Sequence, residues 1–296
     1  MVFSILFLVL CALAFIAVVS MNSYILFITS CRVERTVSAV WFQNRAVSDF
    51  IFLVFLPLRF HFSFFLDWAK WLSSTITSLH LFSSAFLLTA LSVHRCILVA
   101  HPAWAQNHFT SCLAVWMVLG MWALSLGFSL RYSDLWESLL LPDRFRDNFQ
   151  LDEERIRDNF QLDEERLKAA AAIQLLVGFL IPLALILIST FYILLAAKLR
   201  RNRLSQSTKP LKILFGLIPT FLICWLPYHI FCFLLVSPID PMHIWMSEYI
   251  IASVLTYFNS CLNPIFYLTM EDEFLRYRQR VRNPQTADNS GPEPAE

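Results

Sequence analysis

Charge is what this chain has least of. Only 15% of its 296 residues are Asp, Glu, Lys or Arg, against about 25% in a soluble domain. That shortfall, with 57% hydrophobic residues and several apolar runs of membrane-spanning length, excludes a soluble domain. It predicts an integral membrane protein with helical spans. Glycine is scarce, at 5 residues. Seven cysteines, at 11, 31, 96, 112, 224, 232 and 261, show no metal-ligand spacing, and neither CxxC nor HExxH occurs. No metal site is expected. No nucleophile–base pair is visible, which argues against an enzyme. The spans show no inverted repeat and their polar residues form no continuous file, which argues against a transporter or channel.

What is present is seven apolar runs, at 3–30, 38–62, 71–98, 111–131, 169–197, 211–236 and 245–268. Each can cross about 30 Å of hydrocarbon at about 1.5 Å per residue. The first run outlasts the apolar core of a signal peptide and reads as a spanning helix. The loop after span five carries Lys198, Arg200, Arg201, Arg203, Lys209 and Lys212 with no acid. Arg32 and Arg35 follow span one, and Arg276, Arg278, Arg280 and Arg282 follow span seven. These segments are expected on the cytoplasmic side, which places the N-terminus outside and the C-terminus inside. The expected division is a spanning domain over 1–268, an amphipathic helix on the inner leaflet over 269–282, and a disordered tail over 283–296. In the outer loop, 146–156 (RDNFQLDEERI) recurs as 157–167 (RDNFQLDEERL). The repeat reads either as a charged amphipathic helix or as a tandem duplication that a loop tolerates cheaply.

Polar residues inside the spans carry most of the information, because hydrocarbon penalises them unless they find partners. Asn22, Asp49, Ser84, Asn259 and Asn263 lie in spans one, two, three and seven. Facing inward at similar depth they would form one polar cluster. It would serve either as helix-packing hydrogen bonds, at about 0.6 kcal/mol each, or as a cation or water site that differs between two packings. Arg45 lies one turn before Asp49, at ion-pair spacing, and would compete with a bound cation. Arg95, after His94, puts a charge at the inner end of span three, for snorkelling or for switching. Pro227 follows Trp225 in span six, and Pro264 follows Asn263 in span seven; both predict kinks or hinges. Near the outer ends Arg59, Thr77, Gln174, Tyr228, His229, Tyr249, Ser253 and Tyr257 are candidates to line a ligand cavity. For Arg59 the alternative is a lipid-interface anchor. Arg131 and Lys168 add positive charge there.

In order and spacing, these residues resemble the class A (rhodopsin-like) G-protein-coupled receptors. The likeness rests on Asp49 in span two, Arg95 ending span three, Trp122, Pro182, the Cys224-Trp225-Leu226-Pro227 run and Asn263-Pro264-Ile265-Phe266-Tyr267. The stretch 85–96 with His101-Pro102, and Phe258-Asn259-Ser260-Cys261-Leu262-Asn263-Pro264, resemble the chemoattractant branch, which includes formyl-peptide and type 2 prostaglandin D2 receptors. The resemblance implies an all-α, seven-transmembrane helix bundle in the plasma membrane. It also implies a sodium ion at Asp49 with Ser84, Asn259 and Asn263, a rotamer switch at Trp225 above Phe221, and coupling roles for Arg95 and Tyr267. The implied partners are a heterotrimeric G protein of the inhibitory class, arrestin, membrane lipids and an extracellular small lipid or peptide; nucleic acid is not among them. The chain departs from the family at His94, where an acid is usual, at Thr190, where a tyrosine is usual, and at Arg45, where a leucine is usual. The family's outer disulfide has no cysteine for it: Lys70 stands at the span-three position, and 129–173 contain none. These departures keep open a second reading, a decoy or degenerate receptor that does not couple.

Overall fold

The computed structural model describes residues 2–31, 36–55, 67–140, 165–166, 168–199, 209–235, 255–256, 258–265 and 267. Among them the regular structure is entirely helical. Helix α1 is Val2–Cys31, α2 Val37–Val54, α3 Asp67–Ala100, α4 Pro102–His108 and α5 Ser111–Leu140. Residues 168–175 lead through a π-helical turn, Leu176–Leu180, into α6, Ile181–Leu199. Helix α7 is Lys209–Leu235, and residues 258–265 of the last span are helical.

Local chemistry explains several boundaries. The Thr36 side chain accepts from the Ala39 amide at 3.1 Å and caps α2. Pro102 starts α4, where its missing N–H costs nothing. Hydroxyls within the spans turn back on their own helices. Thr29 donates to Ile25 O, Thr77 to Ser73 O, Thr89 to Ala85 O and Ser92 to Leu88 O, all at 2.8–2.9 Å. This is how an isolated hydroxyl satisfies its donor away from water.

Helix α3 is the centre of the assembly. Its apolar window is 78% buried, against 22% for Ser111–Arg131 and 33% for Lys168–Ala196. It packs against α2, α5 and α6, and α1 packs against α2. Ile25, Trp41, Phe42, Phe82, Ile186, Phe221 and Trp225 belong to one continuous apolar core. The outward faces of α5 and α6 carry Trp116, Ile188 and Phe191, each about two-thirds exposed. Such a surface suits lipid and would be a liability in water. The π turn packs against α3. A Cβ on Gly178 would lie 2.6 Å from Leu81 Cδ2 and 3.3 Å from Phe82 Cε1, so any larger residue makes those side chains shift.

Where the described residues allow comparison, helices occupy the expected runs, with different boundaries; most of the run expected at 245–268 lies outside the described residues. Helix α5 continues past residue 131 to Leu140. The short helix α4, seven residues begun by Pro102, and the five-residue π turn inside an apolar helix were not expected. Three described helices, Trp71–Ala100, Ser111–Arg131 and Lys168–Ala196, are long and apolar enough to span a bilayer; Phe15–Cys31 and Gly216–Cys232 are shorter apolar helices. The amphipathic helix at 269–282, the tail at 283–296, and all of the 146–167 repeat except 165 and 166 lie outside the described residues.

Candidate functional site: a buried polar core

Asp49 is completely buried on α2. Its carboxylate receives the Ser260 hydroxyl on Oδ1 at 3.0 Å and the Asn263 amide on Oδ2 at 2.8 Å. Arg45, one turn earlier and 4% exposed, brings Nε to 4.0 Å from Oδ2. At that distance the attraction is of order 4 kcal/mol for an effective dielectric of about 20. The rest of the guanidinium reaches across the bundle. Nη1 donates to the Ser84 carbonyl of α3, and Nη2 donates to Asn259 Oδ1 at 3.5 Å. Asn22 Nδ2 donates to the Ser260 carbonyl at 3.2 Å, which ties α1 to the same site. The five polar residues expected to cluster are therefore brought together, through Arg45 and Ser260. The contribution of Ser84 to Arg45 is its backbone oxygen.

His80 was not foreseen, and it joins the two halves of the core. It is 2% exposed. Its Nε2 lies 3.2 Å from Ser260 Oγ and 3.8 Å from Asp49 Oδ1. Its Nδ1 lies 3.2 Å from Ser48 Oγ and 3.4 Å from Ser84 Oγ, and Ser48 Oγ is 2.6 Å from Ser83 Oγ. Because Ser260 spends its proton on Asp49, its oxygen accepts from His80, which places a proton on Nε2. The ring stacks on Phe52, with centroids 4.2 Å apart at 7°, and meets Trp225 at 5.4 Å. A lone histidine in an apolar span carries little signal. The available clue was His80 at i−4 from Ser84 and one turn from Ser83, a polar stripe on one face of α3.

Above this core, Tyr228 stands edge-on to Trp225 and to His229, both at 6.1 Å. His229 packs on Phe179 at 4.9 Å, and Phe179 stacks on Phe221 at 5.6 Å. Thr77, Gln174, Tyr228 and His229 are all buried. Three buried side chains, on α3, on the segment before the π turn and on α7, keep polar atoms without a partner among the described residues. They are Ser78 (Oγ), Gln174 (Oε1 and Nε2) and His229 (Nε2). Four of the expected ligand residues, Arg59, Tyr249, Ser253 and Tyr257, lie outside the described residues. Lys168 pairs with Glu165 at 3.4 Å on the surface, and Arg131 is exposed.

Near the C-terminal end of α3, the His94 ring packs on Phe109, at 4.9 Å, and faces Trp41, at 6.4 Å. Aromatic packing occupies the place of an acid next to Arg95. Tyr267 is buried against Phe42, at 4.6 Å. The Thr190 hydroxyl donates to Ile186 O of its own helix at 2.8 Å, so it ties to α6. Pro227 lies inside α7 and removes one helical hydrogen bond below Tyr228. Pro264 is buried in the last helical segment beside Asn263. Trp122 donates to Asn44 at 3.2 Å, which clips α5 to α2. No disulfide is found among the described residues.

Apolar helices packed around a buried carboxylate, three amides and a tryptophan at these positions fit a membrane receptor bundle. The profile of the family "7 transmembrane receptor (rhodopsin family)" matches residues 21–267, and the chain belongs to that family. Similar proteins include chemerin-like receptor 1 of Bos taurus, 32% identical over 285 residues, covering 87% of this chain and 75% of the relative. N-formyl peptide receptor 3 of Homo sapiens is 28% identical over 277 residues, covering 86% and 75%. The chain is thus a class A receptor of the chemoattractant branch, a multi-pass seven-transmembrane helix bundle of the plasma membrane.

Proposed function

We propose that this receptor binds an extracellular peptide or anionic lipid and signals through a G protein of the inhibitory class, with its N-terminus outside and its C-terminus in the cytoplasm. One observation carries the reading: an unbroken line of contacts from the outer layer to the polar core. Phe179 touches His229, His229 touches Tyr228, Tyr228 touches Trp225, and Trp225 touches His80. His80 then meets Ser260, which bonds Asp49. A ligand that moves Trp225 therefore acts on the hydrogen bonds that hold span seven to α2 and α3. Pro227 and Pro264 weaken the helix ladder on either side of that point. Loosening span seven frees Tyr267 and the inner face around Arg95 for the G protein, with arrestin competing for the same face.

The ligand class we favour is supported by buried polar atoms of α3, the segment before the π turn and α7. An amide group, an imidazole nitrogen and a hydroxyl without partners among the described residues suit a molecule with both donors and acceptors. That supports a peptide over a lipid whose only polar group is a carboxylate, in keeping with the name of one relative, an N-formyl peptide receptor. The test is suppression of cyclic AMP in cells exposed to a panel of formylated and carboxylate-ended peptides and anionic lipids. Wild type should respond and Arg95→Ala should not. Equal signals from the two would sink the proposal. A second reading, a seven-span receptor that binds without coupling, draws on His94: packed between Phe109 and Trp41, it leaves the inner end held by aromatic contacts rather than by an acid. Peptide uptake without nucleotide exchange would favour it.

A further inference from the structure

We infer that the Asp49 site carries its own cation, the Arg45 guanidinium, and is closed to the sodium ion that the fold family implies there. The inference rests on the receptor reading for the site's place in the bundle, and its test does not require signalling. A hard monovalent cation needs a carboxylate and several oxygens free to turn toward it. Here the oxygens that would serve are held by donors. Asp49 Oδ1 accepts from Ser260 and Oδ2 from Asn263, with Arg45 Nε at 4.0 Å. Asn259 Oδ1 and the Ser84 carbonyl both accept from the guanidinium. Asn22 Oδ1 and Asn263 Oδ1 have no partner among the described residues, but both are neutral. They would have to hold a second positive charge beside the first.

Arg45 suits this role better than a mobile ion in one respect. The guanidinium cannot lose its charge under ordinary conditions, and its planar donors reach different helices at once. It links α2 to α3 through Ser84 and to span seven through Asn259, so it pins three elements that a receptor moves relative to one another. It is covalently part of α2, so outward diffusion of a cation is not available as a step in switching. A change of packing must break its hydrogen bonds instead.

The test is thermal unfolding of the purified full chain in lipid nanodiscs, in equal concentrations of sodium, potassium or choline chloride. Wild type should unfold at the same temperature in all three salts. Arg45→Leu, which restores the family's usual residue, should gain a sodium-specific rise of roughly 3–5 °C at sodium about ten times its dissociation constant. Arg45→Gln provides a second uncharged variant of similar length should the leucine form not fold. A sodium-specific rise in wild type would overturn the inference. So would uncharged variants that fold and show no preference for sodium, because Arg45 would then not be what closes the site. Absence of G-protein signalling would leave either result unchanged.

Discussion

Replacing Asp49 by asparagine removes one charge and almost no volume. In a core held by a mobile ion the change would release that ion and cost little. In this core it leaves Arg45, 4% exposed, with its charge uncompensated among α2, α3 and span seven. Breaking a buried ion pair from one side costs about 3–5 kcal/mol, although the intact pair is worth much less against an apolar replacement. Ser260 and Asn263 also lose a charged acceptor, an effect that overlaps with the first and is not added to it. At about 2–4 °C per kcal/mol for a chain near this size, Asp49→Asn should unfold roughly 6–20 °C below wild type. A thiol-reactive fluorophore gives the readout, because Cys224 and Cys232 are 2% and 4% exposed and become reactive on unfolding. Scan rates must match, since unfolding of such a protein is irreversible. Arg45→Leu combined with Asp49→Asn should regain most of the loss, as the stranded charge is then gone. An Asp49→Asn protein unfolding within about 2 °C of wild type would refute the reasoning.

Two other perturbations test the packing and the inner end. Gly178→Ala should destabilise by about 1–3 kcal/mol. Leu81 Cδ2 can swing aside, but the Phe82 ring is confined by Phe86 at 6.1 Å and Phe128 at 5.2 Å. Gly120→Ala, with nothing within 4 Å of the added carbon, should be neutral or stabilising by up to about 1 kcal/mol. The reverse order in a thermal assay would show that span five does not approach α3 as described. If the receptor couples, His94→Asp, which puts the acid usual in the family next to Arg95, should lower ligand-independent suppression of cyclic AMP by restraining that arginine; an unchanged basal signal at equal surface expression would contradict such a restraint.

What could be read from the residues alone follows the cost of placing each group in hydrocarbon. Seven apolar runs and a handful of amides and charges are visible because a lipid-exposed polar atom is expensive. The pairing of Arg45 with Asp49 was visible because both lie on one helix, four residues apart. The reach of Arg45 to Ser84 and Asn259 was not, because it crosses to residues 39 and 214 positions away. Ser48, Ser83 and Ser260 were hidden for another reason. A serine in a span normally bonds its own helix, as Ser92 does with Leu88, so its identity alone cannot say that it points elsewhere. The π turn was hidden because nothing in an apolar run distinguishes an i→i+5 turn from ordinary helix; Gly178, packed against Leu81 and Phe82, sits within it.

His80 shows how far such a reading extends. On α3 it is one polar ring in a mostly apolar stretch, and a histidine there is ordinarily a packed aromatic. It is packed in that way, against Phe52 and Trp225. Its two nitrogens also face hydroxyls on α2, α3 and the last span. The same ring therefore touches the tryptophan that a ligand would move and the serine that bonds Asp49. With Arg45 fixing the charge and His80 joining the tryptophan to the hydrogen bonds, the coupling from outer layer to core runs through side chains of this chain. On the reading proposed above, a change of state would run through the making and breaking of these bonds, with no ion entering or leaving.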